Sequence, residues 1–83
     1  MAYNISYKRS VEKDLAGIAP AEAKRILNKI ERDLRAKPET CPMLKGRFSG
    51  LRKFRVGDYR VVFTLSGEDI LVLRIGNRKD VYR

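Results

Sequence analysis

The stretch LRKFRVGDYRVVF, residues 51–63, leaves few options for the chain around it. Apolar and polar side chains alternate on both sides of a Gly57-Asp58 pair, the pattern of two strands joined by a two-residue turn. The alternation puts Phe54 and Val56 on one face and Lys53 and Arg55 on the other. Beyond the turn it puts Tyr59, Val61, Phe63 and Leu65 on one face, with Arg60 pointing away. If Phe54 and Val56 share the core face with Val61 and Phe63, then Lys53, Arg55 and Arg60 share the opposite, open face. Like charges across a sheet destabilise it, so a polyanion that cancels them is the natural explanation. The pattern is that of a phosphate-handling surface.

The remaining segments supply a scaffold for this hairpin. AYNISYK, residues 2–8, alternates Tyr3, Ile5 and Tyr7 with polar neighbours and reads as a first strand. Ser10 is placed to cap a two-turn helix carrying Val11, Leu15 and Ile18, with Glu12 and Asp14 near its positive end and Gly17 closing it. Pro20 suits the first turn of a second helix, whose apolar stripe is Ala23, Ile26, Leu27, Ile30 and Leu34 and which Pro38 ends. Residues 38–50 read as a loop with a short extended stretch at 43–44. After the hairpin, Ser66-Gly67-Glu68-Asp69 is a turn, and the apolar run 70–75 reads as a strand buried on both faces. The expected architecture is α+β, in the order β-α-α-β-β-β, with a helical hairpin on one face of a small, largely antiparallel sheet.

At 83 residues, 1–83 forms one small domain. Nineteen Lys and Arg against 10 Asp and Glu give a formal charge of +9, which favours a nucleic acid, an anionic membrane or an acidic protein as partner. No apolar run approaches a membrane span and MAYNISYKRS carries no signal-type apolar segment, so the expectation is a cytoplasmic protein that does not bind a membrane. The single cysteine, Cys41, rules out an internal disulfide and a cysteine-based zinc site. The chain has no histidine, which removes the usual general base and the usual metal ligand. Any catalysis must use Lys, Arg, Tyr or carboxylates, and no cofactor or metal is expected.

Taken singly, Lys53, Arg55 and Arg60 are ordinary solvated strand positions. Taken together with Arg47, Arg52, Arg74 and Arg78 nearby in sequence, they form a set, and this half of the chain mainly uses arginine, which engages phosphate bidentately. Tyr82, one residue from the end, acquires a role if the tail folds back across the cationic face, where cations would favour its phenolate. Tyr3, Tyr7 and Tyr59 read as core or packing residues, Asp58 as a turn residue and Cys41 as a spectator.

Over nearly its whole length the chain resembles the RelE/ParE toxin superfamily, and within it the RelE-type ribosome-dependent mRNA endoribonucleases. The likeness rests on the N-terminal strand with its helical hairpin, the Leu44-Lys45-Gly46 segment, the RVGDYRVVF core and the closing IGNRKDVYR. The resemblance implies an enzyme that cuts mRNA in the A site of the 30S subunit without a metal, by attack of the ribose 2′-hydroxyl on the adjacent phosphate. It implies Lys53 and Arg55 as basic positions on the strand before the turn and Arg60 as the arginine of the Tyr-Arg pair. It further implies Arg78 as the group protonating the leaving oxygen and Tyr82 as the general base; several relatives carry a histidine where this chain has Asn77. Lys45, Arg47, Arg52 and Arg74 are expected to bind RNA, and a cognate acidic antitoxin to neutralise the protein. The alternatives are a ParE-like inhibitor of DNA gyrase and a non-catalytic RNA-binding module on the same scaffold.

Overall fold

A computed structural model describes residues 3–44 and 50–77 of the chain. Its elements are β1 (Asn4–Tyr7), α1 (Arg9–Ala16), α2 (Pro20–Lys29), a π-helical turn (Ile30–Leu34), a single 3₁₀ turn (Pro38–Thr40), β2 (Arg52–Val56), β3 (Tyr59–Ser66) and β4 (Asp69–Asn77). The four strands form one sheet in the order β1-β4-β3-β2, with β1 parallel to β4 and the other pairs antiparallel. Both helices pack on one face, giving the α+β order read from the sequence.

The core explains the pairing of layers. Val11 of α1, with Ile26, Ile30 and Leu34 of α2 and its continuation, closes over Val56, Val61, Phe63, Ile70, Val72 and Ile75 of the sheet. Ile26, Ile30 and Leu34 are four residues apart, so they line one helical face. The second helix does not remain α-helical up to Pro38: after Lys29 it widens into the π turn, where Arg35 N–H donates to the Ile30 carbonyl at 3.1 Å. Ser10 does not cap α1. Its hydroxyl donates instead to the Leu73 carbonyl at 2.7 Å.

β4 departs from the expectation of a strand buried on both faces. Ile70 and Val72 are buried, but Leu71 between them is 37% exposed. The register explains the rest: Phe63 faces Val72 and Val62 faces Arg74, so Leu73 is an extra residue in a β-bulge. Regular alternation after Ile70 and Val72 would have driven Arg74 into the core. The bulge shifts the phase by one residue and delivers Ile75 there instead, opposite Val61.

α1 also replaces β1 along this strand. β1 ends at Tyr7, opposite Val72, and Lys8 N–H donates to the Val72 carbonyl at 2.9 Å. From there the outer side of β4 is sealed by two α1 side chains four residues apart: Ser10 takes the Leu73 carbonyl and Asp14 accepts from Ile75 N–H at 2.9 Å.

Both two-residue hairpin loops place glycine at the first turn position with positive φ, +58° at Gly57 and +60° at Gly67, as type II′ turns require. A Cβ at Gly67 would meet nothing within 4 Å, whereas one at Gly57 would lie 2.8 Å from an Arg25 guanidinium nitrogen. Gly57→Ala and Gly67→Ala are each expected to cost about 1–2 kcal/mol for the left-handed backbone. Arg25 is a flexible side chain and should swing aside, so urea unfolding is expected to give similar values for the two variants. A several-fold larger loss at Gly57 would contradict that.

Candidate functional site

The hairpin register builds the site. Arg55 faces Arg60 directly and Lys53 faces Val62, while Phe54 faces Val61 on the helix-covered side. Directly opposed residues project to the same face, so Lys53, Arg55 and Arg60 stand together on the face that the helices leave open. A shallow depression of about 240 Å³ is lined by these three cations and Pro42. Among the described residues neither Lys53 nor Arg55 has an acidic partner.

The wall opposite β3 comes from the loop that precedes β2. Met43 bridges antiparallel to Arg52, Leu44 N–H donates to the Leu51 carbonyl at 2.8 Å, and Lys53 N–H donates to the Pro42 carbonyl at 3.1 Å. Residues 42–44 thus run as a short extension of the sheet beyond β2, which puts Pro42 beside Lys53 on the open face.

Two cations expected near this site have other tasks. Arg52 faces Phe63, and its guanidinium donates to the Cys41 carbonyl at 2.9 Å and the Glu39 carbonyl at 3.3 Å, fixing the loop. Arg74 makes a two-pronged contact with the Asp14 carboxylate, at 2.9 and 3.2 Å, and lines a separate hollow with Lys13, Ile18 and Tyr59. The hydrogen bonds Arg74 donates to Asp14, and the negative charge of that carboxylate, strengthen the hold of Arg74 on its proton. Lys45, Arg47, Arg78 and Tyr82 lie outside the described residues. The sequence reading missed Pro42 and Asp14, because their roles follow from pairings across the fold.

The tyrosines act mainly as ties. Tyr3 hydroxyl donates to Glu39 at 2.7 Å, which raises the phenol and lowers the carboxyl relative to their usual values. Tyr7 is 37% exposed and is not a core residue; its hydroxyl donates to Glu31 at 2.8 Å, and Glu31 also pairs with Arg35 at 2.9 Å. Desolvation, followed by the bond to Glu31, raises the Tyr7 phenol well above its ordinary value of 10.0. A raised folded-state value means that this tie is fully present below the unfolded value and is lost as pH climbs beyond it. The stability difference between wild type and Tyr7→Phe is therefore expected to be constant near neutral pH and to shrink above pH 10.0 in urea titrations. A difference that grew with pH would contradict the assignment. Cys41 is half-buried, and that burial pushes its thiol up and away from reactivity.

Among the described residues no three His, Cys, Asp or Glu side chains converge as a metal site. No described helix is long and apolar enough to cross a membrane.

A small mixed sheet with helices on one face and a cationic hollow on the other defines an α+β class of basic proteins. Residues 5–82 match the family described as ParE toxin of type II toxin-antitoxin system, parDE, and the chain belongs to that family, within the RelE/ParE toxin superfamily. No curated protein matches it in sequence. Among solved structures it is similar to a chain of the toxin–antitoxin complex RelBE2 from Mycobacterium tuberculosis, with 20% identity and a TM-score of 0.87 over 94% of this chain and 100% of that one. It is also similar to a chain of the archaeal RelE–RelB complex from Pyrococcus horikoshii OT3, with 24% identity and a TM-score of 0.68 over 98% and 100% of the two chains. A third likeness is to a chain of the chromosomal ParDE system from P. aeruginosa, with 18% identity and a TM-score of 0.68 over 90% and 95%. At these identities the likeness is one of fold.

Proposed function

We propose that the chain is a metal-independent endoribonuclease toxin that cuts mRNA in the ribosomal A site. The observation that carries this reading is the convergence of Lys53, Arg55 and Arg60 on one open depression. The ribose 2′-oxygen attacks the adjacent phosphorus, its proton passing to the Tyr82 phenolate, a form that neighbouring cations favour. The 5′-oxygen leaves with a proton from Arg78, giving a 2′,3′-cyclic phosphate and a free 5′-hydroxyl. Arginine and lysine pre-arranged around the pentavalent phosphorus stabilise its added negative charge, so no metal or cofactor is needed. The ribosome supplies orientation that this set of weak acids and bases lacks.

Lys45 and Arg47 are assigned to RNA contacts. Arg52 and Arg74, engaged with the Cys41 carbonyl and Asp14, add to the positive field from outside it. An acidic antitoxin fits a chain of charge +9, and the solved RelBE and RelE–RelB relatives are themselves antitoxin complexes. The compartment assigned on this reading is the cytoplasm.

A second reading, inhibition of DNA gyrase through protein contact, is favoured by the ParE description of the matched family. In vitro translation of a defined mRNA with the purified chain, breaks being mapped by primer extension beside a ribosome-free control, separates the two. Ribosome-dependent breaks at A-site codons support the nuclease. Intact mRNA together with induction of DNA damage on expression supports the gyrase reading.

A further inference from the structure

The depression is not lined by charge alone. Pro42 is exposed and stands beside Lys53, held by two ties from β2: the Lys53 N–H on its own carbonyl at 3.1 Å, and the Arg52 guanidinium on the Cys41 carbonyl immediately before it at 2.9 Å. Three cations specify where a phosphate sits but not how the rest of a nucleotide is turned. A rigid apolar ring next to them supplies the missing constraint, and because its carrier is already tied down, little conformational entropy is lost on contact. Single-stranded RNA offers flat, unpaired bases that proteins hold by stacking. Across the open face the order is Pro42, then Lys53 and Arg55 on β2, then Arg60 on β3, all four lining the one hollow.

We propose that Pro42 is the wall against which the base flanking the bound phosphate stacks, so that the depression binds a single-stranded ribonucleotide by backbone and base together. This rests on the reading of the depression as an RNA site. It makes Pro42 a specificity-determining residue, and it makes Arg52 a positioning residue that acts through the Cys41–Pro42 backbone.

The test uses the full chain as wild type, Pro42→Ala and Pro42→Val. Two probes are titrated: a short single-stranded oligoribonucleotide, made uncleavable by one 2′-deoxy sugar, and the same backbone without the base beside that sugar. Wild type is expected to bind the base-bearing probe more tightly. Pro42→Ala is expected to weaken that probe roughly three- to tenfold, the low end for a stacked base since proline has no π face, and to leave the abasic probe unchanged. Pro42→Val, which keeps apolar surface on an extended backbone, is expected to recover part of the loss. The proposal is overturned if wild type does not distinguish the probes, if Pro42→Ala weakens both equally, or if it weakens neither. Because the readout is binding, a wild type that prefers the base-bearing probe yet leaves mRNA uncut on ribosomes would sink the nuclease reading alone.

Discussion

Arg60→Ala is expected to lower ribosome-dependent mRNA cleavage by about 10²–10³-fold while the protein remains folded, because removing one pre-arranged group that meets developing charge typically has that effect. Arg60 is the central member of the set: it sits on β3, which is paired on both sides, facing Arg55 across one ladder and Gly76 across the other. Arg55 and Arg60 are like charges directly opposed in the ladder, an arrangement that opposes the fold by a few tenths of a kcal/mol. Arg55→Ala is accordingly expected to leave the unfolding midpoint unchanged or slightly higher. Single-turnover cleavage on programmed ribosomes checks the first expectation and thermal unfolding the second. Arg60→Ala with full cleavage would remove the site from this face.

Asp14→Ala is expected to be the most costly change among the polar residues of the scaffold, at about 2–3 kcal/mol. The Asp14 carboxylate is only 14% exposed and serves three donors, two on Arg74 and the backbone N–H of Ile75. Its loss leaves that N–H at the sheet edge without a partner and strips the bulge of its anchor. In a domain this small, that corresponds to a fall in melting temperature of roughly 10–20 °C. Arg74→Ala should behave differently. Its side chain is 40% exposed and Asp14 would keep its bond to Ile75, so the expected cost is at most about 1 kcal/mol. Calorimetry on the two variants decides the matter: equal losses would mean that the ion pair, and not the backbone contact, secures β4.

The two expectations mark what could be read along the chain. The hairpin and its faces were legible because period-2 alternation and a Gly-Asp turn are local signals, and the register pairs Arg55 with Arg60 as the alternation implied. The helical stripe of Ile26, Ile30 and Leu34 was equally local. The bulge was not, since a run of Ile, Leu, Val, Leu carries no mark of which residue is surplus. Nor was the Asp14–Arg74 contact, which joins groups 60 positions apart. Pro42 looked like loop punctuation and gained meaning only through its place beside Lys53. Ser10 offered a true hydrogen-bonding group at a helix start, but a strand carbonyl competed for it and won.

The surplus residue at Leu73 has a consequence for how a chain of this kind can vary in length. Val72 and Ile75 are both buried although three positions separate them, an odd interval that ordinary strand geometry forbids on a single face. Loss of the surplus residue would leave an interval of two, so regular pleating would return with Arg74 still opposite Val62 and Ile75 still opposite Val61 beneath the helices. Deletion at that point removes the bulge, and with it the Leu73 carbonyl that Ser10 holds, but keeps the phase of everything downstream. At this point β4 can shorten by one residue without turning any side chain over, because the surplus position carries no partner in the ladder.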